Sequence, residues 1–313
     1  MIGRFVKSDR NPILPAVPGT WMESQTANPD LLLVGNTYHL YFRGQQGGHD
    51  RIGVATIPRE QFDGATWNLR MQPVLDVGAS GDWDEQHVLD PATVLVNGVI
   101  HLYYSAVSKR CHRSICLATS TDGIHFEKFP GNPVVIGGGP EVVWREGRFH
   151  LYYWKSVPGT TGFQLHLSVS EDGYAFREYQ AAPVLSVGAL GEWDSYTVET
   201  PRIFEEGGRY CMFYCGSDRF SDYPAYAGLA TSTDLIHWQK DARNPLFSRG
   251  HEGDWDEGAI WFTTVEKIGD RYYLWYEGYG GGDSRNKEYG SYLLGGKSQI
   301  GLAISEEGRP WSV

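Results

Sequence analysis

Three carboxylates raise the question of chemistry: Asp90 in VLDPAT, Glu141 in GGPEVV and Glu199 in VETPRI. Each lies within two residues of a proline that heads an apolar run. Acids gathered around one bound molecule can divide the work. One carboxyl kept protonated aids a leaving oxygen, while an ionised one activates water or attacks carbon, and breaking a glycosidic bond needs both. Crowding raises each acid's proton affinity and a nearby guanidinium lowers it, so unequal surroundings assign the roles. Asn28, Asp30, His87, Arg202, Glu257 and Trp261 occupy related positions and read as substrate-binding groups.

These residues sit in a repeat. The segments PDLLLVGNTYHLYF, PATVLVNGVIHLYY, PEVVWREGRFHLYY and PRIFEEGGRYCMFY begin at Pro29, Pro91, Pro140 and Pro201, and TTVEKIGDRYYLWY places Thr263 at the same point. The anchors are 62, 49, 61 and 62 residues apart. Eight residues before the anchor stand Trp21, Trp83, Trp193 and Trp255, while the third copy has Asn132. The columns beside the anchor diverge within this repeating frame. One residue before it come Asn28, Asp90, Gly139, Thr200 and Phe262; two before, Ala27, Leu89, Gly138, Glu199 and Trp261; one after, Asp30, Ala92, Glu141, Arg202 and Thr264. Strand alternation predicts that the minus-one and plus-one side chains share a face, with the minus-two residue in the leading loop.

Other repeated residues have plainer readings. The triplets Trp83-Asp84-Glu85 and Trp255-Asp256-Glu257, with the variants Trp21-Met22-Glu23 and Trp193-Asp194-Ser195, recur as packing and turn-closing groups. Glu23 and Glu257 are also within reach of a shared site. His39, His101 and His150 share one column of the second run and read as core. Trp144 and Trp154 read as core packing, with a sugar platform as the other use of such rings.

Each unit continues with a third run, as in CLATSTDGIHF or HLSVSEDGYAF, and a short fourth, as in NPVV or APVL. The runs are short and β-branched, and NG, GG, DG and GD turns between them supply the positive φ of hairpins. Five such units predict an all-β chain, a five-bladed β-propeller of four-stranded antiparallel blades. The blades fall near residues 21–75, 83–135, 138–185, 193–247 and 255–313 plus 5–14, within one catalytic domain of 1–313. Phe5 precedes Pro12 by seven residues, as Phe126 precedes Pro133 and Trp238 precedes Pro245. Residues near 11–14 are therefore predicted to form the outer strand of the last blade, whose own sequence stops at GRPWSV. First strands lie nearest the axis of such a ring, so their starts converge on one mouth. The Gly-rich stretch 278–296 reads as a rim or lid there.

Composition bounds the partners. The chain has 313 residues and a net charge of −11, which repels phosphate backbones and anionic membranes but not sugars. An oligosaccharide is the expected partner; nucleic acid and membrane are not. Cys111, Cys116, Cys211 and Cys215 match no zinc spacing and read as small buried hydrophobes. No apolar leader follows Met1, so a cytoplasmic location is expected. No metal-ligand or cofactor signature is present.

The blade signatures of the LATSTDGIHF kind and the Asp90-Pro91 pair resemble those of five-bladed glycoside-active propellers. These are the arabinanase/β-xylosidase type (family 43), the invertase type and the β-mannoside phosphorylase/mannosidase type (family 130). The resemblance covers the whole chain as a blade pattern. It implies an inverting, exo-acting hydrolase on a short oligosaccharide, with Glu199 or Glu141 as general acid. Asp90 would orient the sugar or tune that acid; by likeness to the mannoside type, its DP aspartate would itself donate the proton. Glu199-Thr200-Pro201 is similar to the arabinanase acid motif, but in the fourth blade rather than the third. Asn28-Pro29 stands where the arabinanase type has a DP aspartate and looks more like the mannoside type. The phosphate-binding cluster of that type has only Arg43, Arg51 and Arg202 as scattered counterparts. An inverting phosphorylase and a non-catalytic sugar-binding propeller are the alternatives.

Overall fold

A computed structural model describes residues 4–219, 222–281 and 296–305. Most of the predicted 278–296 lid, and the terminal GRPWSV, lie outside the described residues. The chain is built from β1 (Phe5–Lys7), β2 (Gln25–Val34), β3 (Thr37–Gln46), β4 (His49–Pro58), β5 (Asn68–Leu69), β6 (His87–Val96), β7 (Val99–Val107), β8 (Ser114–Ser120), β9 (Glu127–Lys128), β10 (Gly138–Arg145) and β11 (Arg148–Ser156). There follow β12 (Phe163–Ser170), β13 (Arg177–Glu178), β14 (Thr197–Glu206), β15 (Arg209–Ser217), β16 (Tyr226–Ser232), β17 (Gln239–Lys240), β18 (Phe247–Ser248), β19 (Ala259–Ile268), β20 (Arg271–Gly280) and β21 (Lys297–Ser305). A 3-10 turn at Arg59–Gln61 is the only helical element among the described residues.

The strands form five antiparallel meanders, each led by the strand that carries the anchor, and a single parallel bridge between Asp50 and His87 joins β2–β5 and β6–β9 into one eight-stranded sheet. Asn97-Gly98, Glu146-Gly147 and Gly207-Gly208 turn the first hairpins with positive φ at both positions, matching the strands' right-handed twist. The chain divides into two compact units, one of residues 16–154 and 166–182, the other of 1–15, 155–165 and 183–313.

In the first unit, Tyr41, Ile52, Val54, Leu102, Tyr104 and Cys116 form one core between the β2–β5 and β6–β9 sheets. Tyr103, Leu117, Val142, Phe149 and Tyr153 form another between the β6–β9 and β10–β13 sheets. Tyr41 donates its hydroxyl to the Gly123 carbonyl at 3.0 Å, and Tyr103 to that of Gly173 at 2.7 Å. Trp144 packs at a tilt on Phe149, with centroids 4.6 Å apart, and lies half-buried against this core. In the second unit, Phe5, Phe213, Leu229, Phe247, Leu274 and Tyr276 fill the space between the β14–β18 and β19–β21 sheets.

Trp21, Trp193 and Trp255 each lie against two glycines: Gly44 and Gly53, Gly216 and Gly228, Gly278 and Gly301. A Cβ at any of these would collide with the indole. Asp84, Asp194 and Asp256, which follow three of the tryptophans, are buried. Each accepts a tyrosine hydroxyl, from Tyr104, Tyr214 and Tyr276 at 2.9, 3.0 and 2.9 Å. Each also meets an outer-strand lysine: Lys128 at 2.6 Å, Lys240 at 2.6 Å and Lys7 at 2.5 Å. The triplets are structural, as read.

The last sheet has the order β1-β21-β20-β19, so the N-terminal segment does supply its outer strand. The regular ladder, however, is Phe5–Lys7 on β21, and the predicted 11–14 stretch joins it only near Ile300, which Ile13 and Leu14 contact. Pro12 has no N–H to offer a ladder. Asn11 substitutes a side chain: its Oδ1 accepts the Leu302 N–H at 2.8 Å and its Nδ2 donates to the Leu302 carbonyl at 2.9 Å. Asn132 does the same to Leu117, and Asn244 to Leu229.

His39, His101 and His150 are buried, and burial lowers the proton affinity of each. The unfolded chain, with imidazoles near about 6.5, then binds more protons than the native one below that pH. Their contribution is complete above about pH 6.5 and is lost as pH falls toward the lowered native values. The turn aspartates Asp122 and Asp172, held low by backbone N–H groups, act in a more acidic window. The thermal midpoint is expected to fall between pH 7.5 and 5, and to fall less steeply in a His101→Asn/His150→Asn variant. Parallel slopes for the two proteins would refute this.

Candidate active site

Every inner strand is broken at the same place. Pairing slips by one residue between Ala27 and Asp30, Leu89 and Ala92, Gly138 and Glu141, Glu199 and Arg202, and Trp261 and Thr264. The residue before the anchor is left-handed in all five: Asn28 at φ 50°, Asp90 at 55°, Gly139 at 58°, Thr200 at 48° and Phe262 at 50°. This is a β-bulge opened by a left-handed residue. Such backbone costs on the order of 1–3 kcal/mol at a non-glycine residue and gathers at functional sites.

The bulge corrects two expectations. Glu199 pairs with Cys215 and Arg202 with Phe213, two residues apart on β15. Minus-two and plus-one therefore share a face, rather than minus-one and plus-one. The minus-two residue also lies inside its strand, not in a leading loop. Two of the plus-one residues, Asp30 and Arg202, reach the next inner strand. Asp30 Oδ2 accepts the Thr93 N–H at 2.9 Å and the Thr93 hydroxyl at 2.5 Å. Arg202 Nε donates to Thr264 Oγ1 at 3.1 Å, and its guanidinium lies 4.8 Å from the Phe262 ring centre. Asp30 and Arg202, expected to hold substrate, are thereby engaged in joining strands.

The first unit holds Asn28, Asp30, His87, Asp90 and Glu141. Asn28, Asp90 and Glu141 are 3–6% exposed, and Asp90 and Glu141 stand on neighbouring inner strands, β6 and β10. The bulge of β10 is tied to β7, where Gly139 N–H donates to Ser105 Oγ at 2.9 Å. His87 is half-buried, with Nδ1 2.8 Å from Asp50 Oδ2. Asp50 also accepts Gln45 Nε2 at 2.9 Å and lies 3.9 Å from Arg43 Nη1. Burial pushes the Asp50 carboxyl up, but the Arg43 charge and the His87 contact outweigh it and hold it below the usual range. An ionised Asp50 fixes His87 through one nitrogen and leaves the other for a ligand.

The second unit holds Glu199, Arg202, Glu257 and Trp261. Glu199 is 4% exposed. Glu257 Oε2 accepts the Gly253 N–H at 2.7 Å, as Glu85 Oε2 accepts that of Gly81 at 2.9 Å. Its recurrence makes this contact loop closure, and it takes one Glu257 oxygen away from substrate binding. Trp261 is buried, with Nε1 donating to Asp222 Oδ1 at 2.9 Å and Tyr223 packed edge-on at 5.2 Å, so its ring is not an open platform.

The sequence reading missed Glu277 as a site group, took Arg43 only as a scattered phosphate counterpart and took Trp154 first as core packing. Glu277, opposite Trp261, is buried and accepts the Ser298 hydroxyl at 2.5 Å. Arg43 stands opposite Ala27 and Trp154 opposite Gly138. Fourteen residues after the anchor the column reads Arg43, Ser105, Trp154, Cys215, Glu277. It diverges as the anchor columns do, and that signal would have found them. A Cβ at Gly139 would come within 2.9 Å of Trp154, which explains why this copy lacks a side chain at minus one. Burial pushes the Cys215 thiol up to about 12, so it is a neutral filler.

Comparison with known proteins gives the chain's similarities. Residues 132–249 match the profile of a family described as beta-1,4-mannooligosaccharide phosphorylase. An uncharacterised protein of Mycobacterium tuberculosis is 24% identical over 296 residues, 93% of this chain and 76% of that one. A 1,2-beta-oligomannan phosphorylase of Thermoanaerobacter is 28% identical over 173 residues, 55% of this chain and 43% of that one. Among solved structures, a thermostable family-43 glycoside hydrolase superposes with a TM-score of 0.70 at 17% identity, covering 97% of each chain. Another, reported with the finding that the GH130 family of mannoside phosphorylases contains glycoside hydrolases that target beta-1,2 mannosidic linkages in Candida mannan, gives 0.75 at 14% identity, covering 100% of this chain and 96% of that one. With five repeated four-stranded units and an N-terminal strand completing the last, the chain has the five-bladed β-propeller fold of these solved structures, and over residues 132–249 it is similar to the mannooligosaccharide phosphorylase profile.

Proposed function

We propose that the chain is a glycoside hydrolase that removes a terminal sugar from a short oligosaccharide, a β-mannoside by the names of its relatives. The observation that carries this reading is the placement of three buried carboxylates, Asp90, Glu141 and Glu199, at the bulges of their inner strands. Burial at these positions keeps the acids from bulk water, where their proton affinities can be set apart. Asp90 donates the proton to the leaving oxygen, as the mannoside type implies. Glu141, on the neighbouring inner strand of the same unit, activates water, and the outcome is inversion.

Phosphorolysis is the second reading, favoured by the family profile and by the oligomannan phosphorylase. It needs cations for phosphate. Arg202 is engaged with Thr264 and the Pro201 carbonyl, and Arg43 with Gln25 and Asp50, which favours water as the acceptor. Proton NMR of β-1,2- and β-1,4-linked manno-oligosaccharides, with and without inorganic phosphate, separates the two. Free mannose released without phosphate, first as the α-anomer, is expected. Mannose 1-phosphate formed only with phosphate would establish the second reading, and no product from manno-, xylo- or arabino-oligosaccharides would end both.

A further inference from the structure

A second place on the chain has the make-up of a ligand site and takes no part in the chemistry above. In the second unit, a groove of about 370 Å³ opens beside β1 and β18. That volume is within the range of small-ligand clefts. Phe5 and Phe247 line it and are buried, while Tyr226 is 41% exposed. Trp193 braces the Tyr226 ring edge-on at 6.3 Å. A braced, half-exposed ring presents a rigid apolar face at little entropic cost, which suits the C–H face of a sugar.

The polar lining carries two guanidiniums, Arg4 and Arg249, against one acid, Asp254, with the His251 imidazole beside them. Asp254 is already engaged, since its Oδ2 accepts the His251 N–H at 2.7 Å. Lys7, also in the lining, is neutralised by Asp256. Arg249 is pinned through Nη1 to the Gly258 carbonyl at 2.6 Å, so its charge is fixed in place. On a chain of net charge −11, a concave patch where cations outnumber acids runs against the general field and draws anions. A fixed planar guanidinium matches a carboxylate in particular. We infer that this groove is a secondary binding site for a carboxylate-bearing polysaccharide, with Tyr226 stacking on a sugar ring while Arg4 and Arg249 take its acid group. The site tethers the protein to polymer and does not depend on the proposed hydrolysis.

Native gels cast with polygalacturonate, neutral mannan or dextran sulfate test it. Wild-type protein is expected to be slowed by polygalacturonate, less so at high salt, and not by mannan. Tyr226→Ala is expected to weaken the retardation about five-fold or more. An Arg4→Ser/His251→Ala variant should weaken it similarly and flatten the salt dependence. Both should keep the wild-type melting temperature and rate on a small aryl glycoside, and Asp90→Asn protein should bind polymer as wild type does. Absence of retardation, equal retardation by mannan, or unchanged retardation in both variants would overturn the inference. Retardation by dextran sulfate alone would overturn the assignment to carboxylate.

Discussion

Replacing Asp90 by Asn is expected to lower kcat/KM by about 10²–10⁴, the usual worth of a positioned acid or base, while leaving the melting temperature almost unchanged. Asp90 holds φ 55° at its bulge. Asparagine tolerates left-handed backbone and keeps the shape of the side chain, so the substitution removes the proton and little else. Asp90→Ala is a different experiment. Alanine lacks the local hydrogen bonding that eases this conformation, so the bulge itself would weaken. The pair separates chemistry from scaffold: activity on manno-oligosaccharides falls in both, and thermal stability falls only in the alanine variant. Full activity in Asp90→Asn would remove Asp90 from the reaction and leave Glu141 and Glu199 to be tested by Gln substitution.

The largest stability effect is expected at the buried aspartates behind the tryptophan loops. Asp256 is 1% exposed and accepts both the Tyr276 hydroxyl at 2.9 Å and the Lys7 ammonium at 2.5 Å. Burial and this carboxylate push the Tyr276 proton affinity far up, so the phenol remains a donor. Asp256→Ala strands a lysine and a hydroxyl together, and the cost is about 3–5 kcal/mol, typical of breaking a buried pair. Chemical denaturation should show that loss in Asp256→Ala and Asp194→Ala. Lys7→Met, which removes the charge but keeps an apolar stem over Phe247 and Tyr276, should cost clearly less. Equal losses from Asp256→Ala and Lys7→Met would show that the lysine, not the carboxylate, is the hub.

The repeat made the fold legible because each sheet buries the same columns: tryptophans on glycines, and tyrosines against the next sheet's turn. Asn11, Asn132 and Asn244 share one offset and one bonding pattern, so a seven-residue spacing assigned the N-terminal segment to the last blade, while the regular strand lies at Phe5–Lys7 rather than at 11–14. The site was legible only as a set of divergent columns. Which residues share a face depends on one extra residue per strand, and a bulge leaves no mark when every copy has it. Asp30 and Arg202 looked like ligands because their types diverge, yet the slip turns them toward Thr93 and Thr264. Glu277 was invisible for the opposite reason: it lies on the second strand, away from the anchor that drew attention.

The last sheet draws β1 and β21 from positions nearly three hundred residues apart. During synthesis the sheets of β2–β17 can pair as they leave the ribosome, since each is made of consecutive strands. The ladder of Phe5–Lys7 cannot form until Ala303–Ser305 have been translated, nor the Leu14 bridge until Ile300 has. Pairing can therefore follow the order of synthesis for the sheets of β2–β17, whereas the last sheet closes only when β21 meets a strand made long before it.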